Sequence, residues 1–237
     1  MVDIHTHILP HVDDGATSWE VAIAMCEMAA ADGIRHIVAT PHANDEFRFD
    51  REEMEQALAS LRTRVDCKLE FSLGCDFHFS YENIQAALQD PRRFTIGGGR
   101  YLLVEFSEYG IPPNVLDAIR SLRALGLVPI VTHPERMMAF QRNPGLVGQL
   151  VQEGCLMQVT ASTFTGRWGP GAEAFALGLL NQGMLHILAS DAHNMRDRPP
   201  VMSQARAVLE ARVSADVVAA MVESTPRAVV EDRLLNI

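Results

Sequence analysis

The chain has 237 residues, and 48% of them are hydrophobic, which is enough for a sizeable buried core and too many for a disordered segment. Twenty basic against thirty acidic residues give a net charge of −10, which argues against a nucleic-acid-binding surface. Only one basic residue is a lysine, Lys68, so the chain has no Gly-Lys-Ser/Thr phosphate loop and no Schiff-base lysine in its second half.

In chain order, Val2–Ile8 reads as a strand. Thr17-Ser-Trp-Glu20 reads as a capping box that opens a helix to about Ala31. Ile34–Thr40 is a second strand, ended by Pro41. Asp50, with Glu53 at the reciprocal position, caps a helix to about Val65. Leu69–Gly74 is a strand and Tyr81–Leu88 a short helix. Gly97-Gly-Gly99 turns the chain into the strand Tyr101–Phe106. Pro112–Leu125 is a helix with prolines in its first turn, followed by the strand Leu127–Thr132. Asn143-Pro144 starts a helix to about Glu153, which Gly154 terminates. The strand Cys155–Thr160, the helix Ala172–Gln182 and the strand Met184–Ser190 follow, and helices near Val201–Arg212 and Ala215–Glu223 end the chain. About seven β–α units at roughly 30-residue spacing imply a parallel sheet covered on both faces.

The polar residues at the strand ends decide the arrangement of that sheet. Five of the nine histidines stand at or just beyond predicted strand ends. They are His5 and His7 in D-I-H-T-H, His42 in T-P-H, His133 in T-H-P-E-R and His193 in S-D-A-H. Four carboxylates, Asp14, Asp76, Glu105 and Asp191, stand in similar places. Strand residues i and i+2 share a face, so His5 with His7, and Asp191 with His193, are each placed to grip one ion. Seven strand ends converge on one mouth in a (β/α) barrel but would lie in a long row in an open sheet, so the barrel is favoured.

Mixed imidazole and carboxylate ligands suit Mn²⁺, Fe or Zn²⁺, and nine of them exceed one ion's needs, so a two- or three-metal centre follows. A lone histidine at a strand end is usually a structural hydrogen-bonder; here it is the repetition that points to metal. Asp13 competes with Asp14, because D-D-G also reads as a turn. Glu108 competes with Glu105, and Asp76 has a rival reading as a capping or turn residue. His11, His36, His78 and His186 read as structural, with His78 two residues beyond Asp76. The four cysteines contain no C-x-x-C pair and read as buried small residues, and the methionines read as core filler. No run of 18 uncharged apolar residues predicts a membrane span, and no basic leader predicts a signal peptide. Free cysteines then point to a reducing cytoplasm.

Taken together, D-I-H-T-H-I-L-P, the D-D-G loop, T-P-H, V-E-F, T-H-P-E-R and S-D-A-H resemble the PHP (polymerase and histidinol phosphatase) superfamily. Within it they most resemble the bacterial protein-tyrosine phosphatases of capsule and exopolysaccharide loci, the CpsB/CapC-like class. The resemblance runs over nearly the whole chain and implies a single domain over residues 1–237, a distorted (β/α)7 TIM-like barrel. It implies a trinuclear centre held by His5, His7, Asp14, His42, Asp76, Glu105, His133, Asp191 and His193. Asp76 stands where the family has a glutamate, so a bridging ligand there must approach more closely or hold one ion only. Phosphate-binding arginines map to Arg136 and Arg198. The implied ions are two or three divalent cations, Mn²⁺ first, with Fe, Zn²⁺ or Mg²⁺ as alternatives.

The implied reaction is attack of a metal-bound hydroxide on a phosphomonoester, with Arg136 and Arg198 fixing the phosphoryl oxygens. A tyrosine leaving group has a pKa of about 10 and needs little protonation; an alkyl alcohol would need an acid such as His78 or His11. The implied partner is a phosphotyrosine protein, a bacterial tyrosine kinase of polysaccharide synthesis, with no nucleic acid and no membrane insertion. Three alternatives stand beside this reading. The first is a small-molecule phosphoesterase acting on a histidinol-phosphate- or nucleotide-like substrate. The second is an amidohydrolase, whose usual carboxylated lysine Lys68 is badly placed to supply. The third is a metal-binding regulator without turnover.

Overall fold

The computed structural model describes residues 1–107 and 110–235. Its strands are β1 (Val2–Thr6), β2 (His36–Ala39), β3 (His42–Ala43), β4 (Glu70–Leu73), β5 (Asp76–His78), β6 (Tyr101–Glu105), β7 (Val128–Thr132), β8 (Leu156–Thr160) and β9 (Ile187–Ala189). The helices are α1 (Trp19–Ala31), α2 (Arg51–Arg62), α3 (Tyr81–Gln89), α4 (Val115–Ala124), α5 (Met138–Arg142), α6 (Pro144–Gln152), α7 (Gly169–Asn181), α8 (Ser203–Glu210), α9 (Ala215–Ala219) and α10 (Thr225–Val230). Every strand pair is parallel.

The ladders form two sheets, β1-β2-β4 and β3-β5-β6-β7-β8-β9. They are parts of one distorted barrel with seven strand positions. The second and third positions are each broken in mid-course, β2 from β3 at Thr40-Pro41 and β4 from β5 at Gly74-Cys75. Pro41 has no N–H to give to a ladder. At Gly74 a Cβ would stand 2.9 Å from Ile96 Cγ1, so only glycine lets the strand pass. Pairing continues across the breaks, with Gly74 N donating to Ala39 O at 2.8 Å and Asp76 N to Pro41 O at 3.1 Å. The seam between β9 and β1 is closed by Asp191 N on His5 O at 2.9 Å, by His7 N on Ala192 O at 2.8 Å, and by a bridge between Thr6 and Ala192.

Strand periodicity sorts the core. Tyr101, Leu103, Ile130, Leu156, Ile187 and Ala189 join Val2, Ile4 and Val38 in one buried cluster that gathers side chains from around the ring. Their sequence neighbours Leu102, Val104, Val131, Met157 and Leu188 belong to a larger cluster that packs against Met25, Leu58, Ile119, Leu150 and Leu179 of the helices. Counting by two along the inner set leads from Tyr101 and Leu103 to Glu105, from Leu156 to Gln158, and from Ile187 and Ala189 to Asp191. The apolar filling of the barrel therefore ends in polar residues at one mouth.

The element boundaries depart from the sequence expectations where caps and prolines act. Ser18 rather than Thr17 is the N-cap of α1, accepting from Val21 N at 3.3 Å. Asp50 caps α2 as expected, accepting from Glu52 N and Glu53 N. The helix α4 begins at Val115, after both prolines rather than over them. The last predicted helix is interrupted: α9 widens into a π turn over Ala220–Ser224 and resumes as α10, with Pro226, which lacks an N–H, in the first turn.

One cap comes from far along the chain. Asp32, just beyond α1, accepts from Met202 N at 2.7 Å and Ser203 N at 3.0 Å, and also from the Ser203 hydroxyl. It thus supplies the N-terminal cap that Met202 does not provide for α8. Asp32→Ala should cost about 1–2 kcal/mol, leaving two backbone donors uncapped. The measurement is urea unfolding, where the midpoint should fall with little change in slope.

Candidate metal centre

All nine sequence-predicted ligands lie at the one mouth. His7, Asp14, His42 and His193 form one group whose donor atoms lie within 4.8 Å of one another; His5, His7 and Asp76 form a second; His42, Asp76 and Glu105 form a third. His133 and Asp191 stand beside these groups. His133 Nε2 is 3.4 Å from Glu105 Oε1, and Asp191 Oδ1 is 3.4 Å from His5 Nε2 and 3.6 Å from His7 Nε2.

The spacings are informative. His5 Nε2 lies 3.2 Å from His7 Nε2 and 3.4 Å from Asp76 Oδ2. His42 Nε2 and His193 Nε2 each lie 3.4 Å from Asp14 Oδ1, and His42 Nδ1 lies 3.2 Å from Asp76 Oδ2 and 3.6 Å from Glu105 Oε2. A direct N–H···O bond prefers about 2.9 Å. Two donors that each sit about 2.1 Å from one ion at near-tetrahedral angles are about 3.4 Å apart. His42 Nδ1, His193 Nε2 and both oxygens of Asp76 are buried and have no hydrogen-bond partner. Buried polar atoms are otherwise almost always paired, so the donor set fits divalent cations. Asp76 is fully buried and points inward, with Oδ2 close to both His5 and His42, so its shorter side chain still reaches two of the groups.

The electrostatics point the same way. Burial depresses His5, yet Asp76 and Asp191 outweigh it and lift the imidazole to about 9. Burial likewise opposes protonation of His42, but the Asp14 and Asp76 carboxylates beside it lift it to about 11. Burial, with His193 and His42 beside it, pushes His7 down to about 3 and keeps it neutral. Burial and Asp76 raise the Glu105 carboxyl, but the His133 and His78 imidazoles beside it bring it down to about 2. Burial would also raise Asp76 and Asp191. His5 holds both well below the usual carboxylate range, helped by His42 at Asp76 and by Arg136 and Arg198 at Asp191. This concentrated demand for positive charge is one that divalent ions meet.

A second layer fixes the imidazoles. His7 Nδ1 pairs with Asp13 Oδ2 at 2.7 Å and His5 Nδ1 with Gln158 Oε1 at 2.8 Å, which leaves each Nε2 turned to the centre. Asp13 and Asp14 therefore divide the work: Asp14 stands half exposed among the imidazole groups, and Asp13 braces His7 from behind while accepting from His42 N and Gly15 N. The glycine of D-D-G is required by close approach, because a Cβ at Gly15 would stand 2.1 Å from His7 O. His133 (φ 35°) and Asp191 (φ 53°) occupy the left-handed region, a strain common at functional sites.

Arg136 and Arg198 both donate to Asp191 Oδ2, Arg198 Nη2 at 2.6 Å. They thus reach the centre through one of its carboxylates. A cleft of about 640 Å³, open to solvent, runs past Asn44, His78, Glu105, His133, Arg136 and Trp168. His78 lines it and lies 3.7 Å from Glu105. His11 is exposed in the loop after β1, and His36 and His186 bond to Ser72 and to Met157 N away from the mouth. Glu108 lies outside the described residues. Sequence reasoning missed Gln158, Trp168 and the bracing role of Asp13. Gln158 lies on β8, the sixth strand position, whose residues include no histidine or acid to draw attention, and Trp168 follows in the same unit.

A family model described as "Capsular polysaccharide synthesis, CpsB/CapC" matches residues 1–231. The tyrosine-protein phosphatase YwqE of Bacillus subtilis (strain 168) is 33% identical over 214 residues, covering 89% of this chain and 84% of that protein. A crystal structure from work on YwqE of Bacillus subtilis and CpsB of Streptococcus pneumoniae, described as unique metal-dependent tyrosine phosphatases, superposes with a TM-score of 0.92. It is 30% identical and covers 99% of this chain and 96% of that one. The lactonase Lmo2620 of Listeria monocytogenes, 14% identical with a TM-score of 0.56 over 97% of this chain and 94% of its own, shares the barrel fold alone.

Asp13→Ala should weaken divalent-metal affinity about 10- to 100-fold, since it frees the His7 ring without removing a candidate ligand. Competition with a chelating dye, with circular dichroism to verify folding, reads the change; an unaltered affinity would leave Asp13 as a loop-turn residue only.

Proposed function

The chain belongs to the CpsB/CapC family of capsular polysaccharide synthesis, and from that membership and the mouth geometry we propose that it is a metal-dependent phosphatase acting on phosphotyrosine in a protein. The observation that carries the reading is the ring of buried, unpaired donors around Asp76 and His42, with Arg136 and Arg198 converging on Asp191 beside it. Two or three divalent ions, Mn²⁺ first, fit the three groups, held by His5, His7, Asp14, His42, Asp76, Glu105, His133, Asp191 and His193. The whole chain acts as one catalytic domain in this reading.

When bound there, such ions ionise water near neutral pH and draw negative charge from phosphoryl oxygens. The residues of the chain do the rest. Arg136 and Arg198 hold the phosphoryl group in line by charge-assisted hydrogen bonds, and Asp191 fixes where their guanidinium groups stand. Tyrosine leaves with a pKa of about 10 and needs little help. His78 faces the same cleft, and the Glu105 carboxylate 3.7 Å away raises its pKa, so it stands ready to donate a proton to a poorer leaving group.

The open groove favours a phosphotyrosine on a protein over an enclosed metabolite. The natural partner we propose is a tyrosine kinase of polysaccharide synthesis. Supporting this are the capsular-synthesis description of the family and the tyrosine-phosphatase names of its relatives. No helix among the described residues is long and apolar enough to cross a membrane, so this chain would meet such a partner without a helical anchor in those residues.

Arg136→Ala and Arg198→Ala should each lower turnover of p-nitrophenyl phosphate by about 10²–10³, the usual effect of losing one charge-assisted transition-state contact, with metal content unchanged. His5→Ala should lose metal and rate together. Steady-state assays on phosphotyrosine and phosphoserine peptides, with metal analysis of each variant, measure this. If both arginine variants keep wild-type rates, phosphate placement lies elsewhere. If the fully metallated wild type hydrolyses no phosphate monoester, a regulatory metal protein or an amidohydrolase replaces the phosphatase.

A further inference from the structure

Trp168 stands immediately before α7 and takes no part in the chemistry above. Its indole Nε1–H donates to Ser162 Oγ at 3.0 Å, which fixes the ring plane. The guanidinium carbon of Arg136 lies 3.9 Å from the ring centre, and those of Arg167 and Arg198 lie at 5.4 and 5.9 Å. Both phosphate-placing arginines of the proposed reaction therefore surround one indole. The ring is not core filler, because Trp168 belongs to neither buried apolar cluster. It lines the open cleft together with Arg136, Glu105 and His133.

An arginine at the edge of a groove has many rotamers, and ordering it costs free energy at the moment of binding. The indole covers one face of the Arg136 guanidinium, and Arg136 also lines the cleft. Among the described residues the only side-chain hydrogen bond of Arg136 goes to Asp191, so further edge donors remain to be used. We propose that Trp168 is a positioning residue: its indole holds the Arg136 guanidinium in the orientation that receives the phosphoryl oxygens of the substrate. The inference rests on the phosphatase reading for its substrate and on the stacking geometry for its mechanism. Arg198, farther from the ring, gains less from it.

The test compares Trp168→Leu, Trp168→Phe and Ser162→Ala, each alone and with Arg136→Ala, using inorganic phosphate as the probe. Phosphate affinity is read by isothermal titration of the metal-loaded protein and as the inhibition constant against p-nitrophenyl phosphate; metal content is measured for every variant. Trp168→Leu should weaken phosphate about three- to thirtyfold, the range of a partly desolvated cation–π contact, with metal content unchanged. Trp168→Phe, which keeps an aromatic face, should recover most of the loss, and Ser162→Ala should fall between the two. In the Arg136→Ala background Trp168→Leu should add almost nothing, because the indole acts through that arginine. In a Trp19→Phe protein, where Trp168 is the remaining tryptophan, phosphate should alter the emission spectrum.

Equal losses for Leu and Phe, or fully additive losses with Arg136→Ala, would overturn the proposal and make Trp168 a packing residue. The two readings fail separately. Strong coupling of Trp168 and Arg136 in phosphate binding without any phosphomonoester hydrolysis would sink the phosphatase reading and keep this one. Normal hydrolysis with no coupling would sink this one alone.

Discussion

Burying several carboxylates side by side is the constraint on which the rest of the molecule depends. Asp76 and Asp191 have almost no exposure, and Glu105 stands next to Asp76. Like charges at such distances in a poorly solvated mouth repel strongly, and only compensating positive charge makes the arrangement stable. The chain supplies part of it through His5, His42, Arg136 and Arg198, whose contacts converge on these acids. Divalent ions among the three donor groups would supply the remainder. The same feature that makes the site costly as protein therefore suits it to divalent cations.

The barrel is distorted in ways that serve this cluster. Its second and third strand positions break where Pro41 and Gly74 stand, and each resumes as a short strand carrying a candidate ligand, His42 on β3 and Asp76 on β5. His42 and Asp76 are register partners, so the interruption places the two unpaired donors opposite each other. The seam with β1 is made by the backbone of Asp191, Ala192, His5 and His7, so the barrel closes through the residues that also furnish the site. Backbone strain at His133 and Asp191 lies at this mouth as well.

A shared barrel says little about chemistry, since a lactonase has it too. Chemistry is set instead by the side chains at the mouth. The paired arginines on Asp191, the open groove and the indole beside them are suited to a dianionic group on a bulky partner. An amidohydrolase built on a carboxylated lysine has no counterpart here, because the lone lysine, Lys68, precedes β4 at the opposite end from the mouth.

Much of this was readable from the sequence. The order of β and α segments and the placement of His5, His7, His42, His133 and His193 at strand ends follow from local rules. A pleated strand sends i and i+2 to one face, and an apolar run flanked by turn residues marks its length. These rules act within a few residues and survive any tertiary arrangement. The sequence left open which aspartate of D-D-G faces the imidazoles and whether Asp76 reaches inward. It gave no sign that Gln158 braces His5 across 153 positions, that Asp32 caps α8 from 170 positions away, or that Trp168 lies under Arg136. Those pairings are set by how strands register around a ring and how helices pack outside it. Their energies arise only when distant segments exclude water together, so only the tertiary structure decided them.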